Sequence, residues 1–333
     1  MTTLKISIIT PSYNQGQYIE QTILSVLNQD YENKELIIID GGSTDNTVEI
    51  IKKYESRLAY WVSEADKGQA DAINKGLAVA KGDVFNWINS DDYLEPGALK
   101  EIAAAFKKQP DKKIMCGYTH CFYDETGEES HTYRMGMRKK IADTILNVEM
   151  NQPGSFYRTE TVRQLGSLNP SLRYVFDGEL WFKFLCKYGK EAVGYTDKLI
   201  AHFRLHKSSK SVGEGFFEFY KEFLNIHLFI AIALKLPEPL INYLKNEQHI
   251  DRYKSAAWEF HFLEKAKFLK LFADKYKFLL YKDKEYELAR AGLTHAVAQR
   301  NTASFKAQLF LALKLSLPDF MIDKMRQYKR RKA

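Results

Sequence analysis

The 333-residue chain reads as an α/β protein, a mostly parallel sheet flanked by helices, with an α-helical subdomain after it. Three observations carry that reading. Short β-branched runs alternate with helical periodicities through the first hundred residues. Each of those runs ends in a polar turn, acidic at three of four exits. Charge then shifts near Gly213: 27 Lys+Arg stand against 28 Asp+Glu up to that point, and 22 against 14 beyond it. The excess of +7 therefore belongs wholly to the C-terminal part. Two regions are expected, residues 1–213 and residues 214–333.

Lys5 to Thr10 is a β-branched run ended by Pro11, as a central strand would be. Gly16 precedes a helical spacing through Ile19, Ile23, Val26 and Leu27. Glu35 to Asp40 is a second buried strand, followed by the turn and cap Gly41-Gly42-Ser43-Thr44-Asp45. Ala59 to Val62 makes a third strand, Gly68 to Ala80 a helix, and Asp83 to Asn89 a fourth strand. Alternation of this kind predicts parallel pairing, with ligands bound outside the carboxyl ends of the strands.

The fourth strand runs into Asn89-Ser90-Asp91-Asp92. Adjacent carboxylates repel unless a cation or donors compensate, and a hard divalent ion such as Mg²⁺ or Mn²⁺ does so. A solvated pair at the start of a helix opened by Pro96 accounts for the same residues.

Ile114 to Tyr133 reads as strand, turn and strand, and Asn151 to Tyr157 as a polar turn entering a strand. Leu180, Phe184 and Leu185 share a helix face, which puts Asp177 and Glu179 near that helix's N-terminus. Asp177 there is either a cap or, facing a cleft, a general base. In His202-Phe203-Arg204-Leu205-His206 the alternation suggests a strand, with 202, 204 and 206 pointing together. From Glu214 onward Phe-, Tyr- and Lys-rich helical patterns take over, including 216–220, 268–272 and 275–281. Pro237, Pro239 and Pro318 punctuate them, and the tail Lys329 to Lys332 is basic.

Composition narrows the classes. Hydrophobic content of 45% and charged content of 27% are those of a globular protein. Cys116, Cys121 and Cys186 form neither a disulfide framework nor a zinc pattern, which fits a reducing, cytoplasmic setting. Met1 to Lys5 leads straight into strand, as expected of a chain without a signal peptide, and Leu224 to Leu234 is too short and too interrupted for a membrane span. Neither G-x-G-x-x-G nor a P-loop follows the first strand, which argues against an NAD enzyme and a P-loop NTPase. Basic residues interspersed with acids, without a recognisable module, argue against nucleic acid.

Thr10-Pro11-Ser12-Tyr13-Asn14, Ile39-Asp40-Gly41-Gly42-Ser43-Thr44-Asp45-Asn46-Thr47 and Trp87-Ile88-Asn89-Ser90-Asp91-Asp92 resemble glycosyltransferase family 2. Ser63-Glu64-Ala65-Asp66-Lys67-Gly68-Gln69-Ala70-Asp71-Ala72-Ile73-Asn74-Lys75-Gly76 resembles its bacterial branch that builds surface polysaccharides. The resemblance covers about two thirds of the chain and implies the GT-A fold, a Rossmann-like sheet. It also implies inverting sugar transfer from a nucleotide-diphosphate sugar to a glycan or lipid-linked acceptor.

By that likeness Asp91 and Asp92 take the place of the family's Asp-x-Asp motif on Mn²⁺ or Mg²⁺, with Asn89 where many members carry a first Asp. Asp40 is expected on the base, Thr10, Pro11 and Tyr13 around its pocket, and Lys67, Asn74 and Asp91 toward the donor. Asp177-Gly178-Glu179-Leu180-Trp181 resembles the family segment Glu-Asp-Tyr-Asp-Leu-Trp. That places Asp177 as the base, with Phe176 replacing the Glu and Glu179 competing for the role. Phe203-Arg204-Leu205-His206 resembles the family's Tyr-Arg-x-His segment and brings His206 to the metal or the diphosphate. Gln152-Pro153 resembles the acceptor-side loop.

Two rival readings remain. A sugar-1-phosphate nucleotidyltransferase needs a basic Gly-rich loop after the first strand, which Pro11 to Gly16 does not supply. A catalytically inactive sugar-nucleotide-binding or scaffold protein would have no need of Asp91, Asp92 and Asp177. For the C-terminal helices two roles are open. One is attachment to anionic membrane, at the cytoplasmic face of an inner membrane where a lipid-linked acceptor lies; the other is a helical lid or homodimer contact.

Overall fold

Seven elements alternate through the first part of the chain: β1 (Ile6–Ser12), α1 (Ile19–Leu27), β2 (Lys34–Asp40), α2 (Thr47–Lys53), β3 (Tyr60–Ser63), α3 (Gln69–Val79) and β4 (Val84–Trp87). This computed structural model describes residues 3–147, 150–206, 215–235, 253, 255 and 258–272. β5 (Tyr93–Leu94) and α4 (Ala98–Lys108) follow the acidic turn, then β6 (Ile114–Tyr123), β7 (Glu129–Tyr133), α5 (Ile141–Leu146), β8 (Ser155–Arg158) and α6 (Thr159–Gln164). α7 (Phe176–Tyr188), β9 (Val193–Leu205) and α8 (Gly215–Ala233) come next.

One sheet runs β3-β2-β1-β4-β8-β6-β9-β5, with β7 also on β6. The expected parallel pairing holds for β3, β2, β1 and β4. Beyond β4 the sheet turns mixed: β8 is antiparallel to both β4 and β6, whereas β9 is parallel to β6 and antiparallel to β5. β6 and β7 are joined by a tight turn, and such a turn can link only antiparallel strands.

β1, β2 and β4 are covered on both faces, which is why they are rich in apolar residues on both sides. Ile6 and Ile8 of β1, Leu36 and Ile38 of β2 and Val84 of β4 pack with α1, α2 and α4. Ile9, Ile37, Ile39, Phe85 and Trp87 point the other way, into a core shared with α3, α7 and α8. Trp87 lies near-parallel to Tyr157 at 5.6 Å between ring centres, so the strand that leads into the acidic turn is clamped. Such a pair is worth about 1 kcal/mol beyond its area.

α7 is buried almost all round: ten of its thirteen residues are buried. Leu224, Ile226, Leu228, Ile230 and Ala231 of α8 are also buried, in the same core as α7. Each contributes up to about 1.5–3 kcal/mol of transfer free energy for the larger side chains. α8 thus packs into the same body as the residues before Gly213. The helical expectation for 268–272 holds within residues 265–272. The expectations for 275–281, Pro237, Pro239, Pro318 and the basic tail lie outside the described residues. No described helix is long and apolar enough to cross a membrane.

Candidate active site

The carboxyl ends of the parallel strands open on a cleft of about 660 Å³, lined among others by Pro11, Ser12 and Tyr13 at the end of β1, Asp66, Lys67 and Gly68 after β3, and Asn89, Ser90 and Asp91 after β4. Its other wall carries Tyr133, Gln152, Arg173, Tyr174, Phe176, Asp177, His206 and Phe219. Strand ends from the first half of the chain and helix or loop residues from the second thus meet across one space.

The acidic turn is held by its own backbone and by β9. The Asp92 amide donates to the Asn89 carbonyl at 3.0 Å, and the Asp92 carbonyl accepts from the Thr22 hydroxyl at 2.6 Å. Arg204 is the main brace. Its Nε donates to the Asp91 carbonyl at 2.9 Å, its backbone N–H donates to Asp92 Oδ1 at 2.9 Å, and its guanidinium also binds Asp124 and Gln21. Tyr18 stacks under that guanidinium, 4.7 Å from the ring centre, and donates to Asp124 at 2.7 Å. The Tyr18 hydrogen bond and the Arg204 charge hold the Asp124 carboxyl below its usual range, while burial beside Asp124 pushes the Tyr18 phenol up to about 12.

The two carboxylates of the turn do different things. Asp91 lines the cleft, and its Oδ2 sits 2.9 Å from His206 Nε2. Asp92, which the sequence reading put beside Asp91 on the cation, sits differently. Its carboxyl is buried, engaged by the Arg204 N–H and by Asn89 Nδ2 at 3.2 Å, and it is not on the cleft wall. Burial and the neighbouring Asp91 charge raise its pKa well above the ordinary carboxylate value.

Among the described residues no three His, Cys, Asp or Glu side chains converge as a metal cage. The Asp91–His206 pair offers one carboxylate and one imidazole at the cleft, donor types that a divalent ion takes alongside diphosphate and water oxygens.

Three more expected donor contacts lie off the cleft wall. Asp40 is fully buried, and its carboxylate accepts from the Gly42 and Ser43 amides and from the Ser43 and Ser63 hydroxyls. It shapes the turn after β2, in which Gly42 adopts φ +83°. Asn74 exchanges both its amide groups with the backbone of Leu168, at 2.8 and 3.0 Å. Thr10 is fully buried within β1. Pro11, Tyr13 and Lys67 do line the cleft, Tyr13 with 59% of its surface exposed.

Asp177 stands on the cleft in the first turn of α7, and its Oδ1 accepts the Gly178 N–H at 2.8 Å. Glu179, its competitor by sequence, is fully buried and occupied. Its carboxylate accepts from Asn169, Tyr253 and Ser255 at 3.0, 2.7 and 2.9 Å and lies 3.1 Å from Lys183 Nζ. The register of 202, 204 and 206 holds as expected: His202 meets Glu95, Arg204 braces Asp91, and His206 pairs with it. Gln152 anchors the loop ahead of β8 by donating to Asn86 Oδ1 and to the Trp87 carbonyl at 3.0 and 2.7 Å.

Tyr133, Met150, Leu172 and Phe219 also line the cleft, and sequence reasoning gave them no site role. Aromatic and aliphatic residues read as core, and only the fold places these on a wall.

Residues 7–165 match the sequence model of glycosyl transferase family 2, and that stretch is a domain of the family. An uncharacterized glycosyltransferase of Rickettsia typhi is 29% identical over 189 residues, 54% of this chain and 58% of the relative. Glycosyltransferase GlyG of Streptococcus pneumoniae is 29% identical over 150 residues, 44% of this chain and 49% of GlyG. The matches thus span about half to three fifths of these relatives' length. Among solved structures, residues 1–349 of Staphylococcus aureus TarS in complex with UDP superpose with a TM-score of 0.56 at 18% identity, covering 97% of this chain and 92% of that one. That likeness is one of fold, the GT-A arrangement that the family resemblance implied.

Proposed function

We propose that this family 2 chain transfers a sugar, with inversion, from a nucleotide-diphosphate donor to a hydroxyl of a glycan or lipid-linked acceptor. The observation that carries the reading is one cleft lined by two separate acidic devices, Asp91 paired with His206 and Asp177 on α7. A UDP-sugar is the favoured donor, since the TarS fragment of this fold was solved with UDP and also with UDP-GlcNAc.

Roles follow from the chemistry. Tyr13 offers an exposed aromatic face to the base, beside Pro11. Lys67 adds positive charge toward the phosphates. Asp91 and His206 hold a divalent cation, Mn²⁺ or Mg²⁺, which when bound neutralises charge on the departing diphosphate. Asp177 takes the proton of the incoming hydroxyl as its oxygen attacks the anomeric carbon from the face opposite the leaving group. The carbon–oxygen bond to the β-phosphate breaks as the new one forms, so the configuration inverts. Arg204 keeps the Asp91 carbonyl and the Asp92 carboxyl in place, which leaves the Asp91 side chain to the cleft.

Release of UDP or GDP from a panel of UDP- and GDP-sugars, with Mn²⁺ and simple glycoside acceptors, tests the reading. Absence of turnover together with absence of nucleotide binding overturns it. Binding without turnover points instead to the inactive sugar-nucleotide-binding reading. For the C-terminal part, the burial of α8 beside α7 supports a helical cover rather than a membrane-facing surface at that helix. Co-sedimentation of the full chain with anionic vesicles tests the membrane alternative for the rest.

A further inference from the structure

Glu222 of α8 accepts three consecutive backbone N–H groups: Arg173 at 2.8 Å on Oε1, then Tyr174 at 2.8 Å and Val175 at 2.9 Å on Oε2. These amides lie just before α7 begins, where the backbone has no preceding turn to accept from it. A carboxylate suits that position, because it takes several charge-assisted hydrogen bonds at once and complements the helix dipole. The acceptor here comes from another helix nearly fifty residues on.

Two further contacts seat α8 on the same spot. The Phe219 ring lies 5.1 Å from that of Tyr174. Gly178 passes so close to Phe223 that a Cβ there would stand 2.9 Å from the ring. Arg173, Tyr174, Asp177 and Phe219 all line the cleft. One helix therefore contributes a wall residue, supplies a carboxylate to the segment that leads into α7, and packs closely against the glycine next to Asp177.

We propose that Glu222 is a positioning residue for Asp177, so that α8 sets the geometry of the proton-accepting wall and leaves the donor wall alone. The inference rests on Asp177 as the base. Three bonds to one carboxylate fix the backbone of 173–175, and Asp177 follows two residues later on the same rigid turn. Releasing them lets Asp177 move relative to the incoming hydroxyl, while Tyr13, Lys67 and Asp91 stay on strand exits that α8 does not hold. Loss of the clamp acts on kcat and not on donor binding.

The test uses the full chain as wild type, Glu222→Ala and the isosteric Glu222→Gln. Three quantities are measured: amide exchange of residues 173–175, UDP affinity by titration with UDP, and kcat and donor KM from UDP release. Expected for Glu222→Ala are faster exchange at 173–175, a kcat lower by roughly tenfold to a hundredfold, and donor KM and UDP affinity within about twofold. Glu222→Gln, with one acceptor oxygen kept, falls between the two, and it carries the comparison alone if the alanine variant does not fold. Unchanged exchange at 173–175 overturns the clamp. Wild-type kcat with accelerated exchange overturns the positioning role, and so does a parallel loss of UDP affinity. A wild-type chain that releases no UDP overturns the role for Asp177, while the exchange comparison still decides whether Glu222 holds the segment.

Discussion

Asp91 Oδ2 and His206 Nε2 lie 2.9 Å apart, though 115 residues separate them in the chain. The pairing arises because β9 runs back past the acidic turn: β5 pairs with β9 through Tyr93 and His202, which brings the end of β9 beside Asp91. Tyr18 closes the other side of the imidazole at 5.2 Å between ring centres. Asp91→Asn is expected to lower Mn²⁺-supported UDP release by about 10²-fold or more. His206→Ala is expected to raise the Mn²⁺ concentration needed for half-maximal rate by about tenfold or more. Titrating Mn²⁺ against UDP release in both variants checks this, and wild-type metal curves would remove the pair from the cation.

Glu179 separates a structural carboxylate from a reacting one. Three hydrogen-bond donors and Lys183 surround it in a site with no exposed surface. Glu179→Gln should cost stability, about 1–3 kcal/mol by urea unfolding, because Lys183 loses its buried counter-charge. Turnover per folded molecule should stay near wild type. A loss of turnover at unchanged stability would return Glu179 to the list of bases.

Asp124 gives the acid limb of stability a specific origin. Its carboxyl is held low by the Tyr18 hydrogen bond and by Arg204. A carboxyl with a folded pKa below its unfolded one stabilises above the unfolded value, about pH 4, and that contribution fades as pH falls through the folded pKa. Melting temperature followed from pH 6 downward should therefore fall less steeply in Asp124→Asn than in wild type, from a lower starting value. Parallel curves would contradict the assignment.

Leu224 tests whether α8 belongs to the catalytic body. It is fully buried in the core that also holds α7. Leu224→Ala is expected to cost about 2–5 kcal/mol in a single cooperative unfolding transition. Separate transitions for the N-terminal part and α8, with only the second shifted, would show the two as independent units.

How far the sequence reached depended on what each residue's environment leaves visible in composition. The parallel strands were readable because burial on both faces demands dense apolar runs such as Leu36 to Ile39, and Ile6 to Ile9 with only Ser7 between. β5 is only two residues long, and α5 and α6 are six each, too short for periodicity to show. Within the site, turn chemistry marked Asp40, Asp91 and Asp92 as acidic exits but could not tell which oxygens the protein itself consumes. Asp40 gives its own to a turn and Ser63, Asp92 to Arg204 and Asn89, and Asn74 to Leu168. Asp91 keeps a place on the cleft because its carbonyl, and not its carboxylate, receives the Arg204 guanidinium. Glu222 left no mark at all, since a lone glutamate in an aromatic helix reads as a solvated face.

In the proposed reaction Asp177 takes the acceptor proton while the Asp91 side of the cleft handles the leaving group. The direct measurement is single-turnover UDP release by Asp177→Asn beside its UDP affinity, both in saturating Mn²⁺. With Asp177 as the base, UDP affinity stays within about twofold of wild type and the rate falls by about 10²–10⁴-fold. Asp177→Asn that turns over at the wild-type rate would contradict that role.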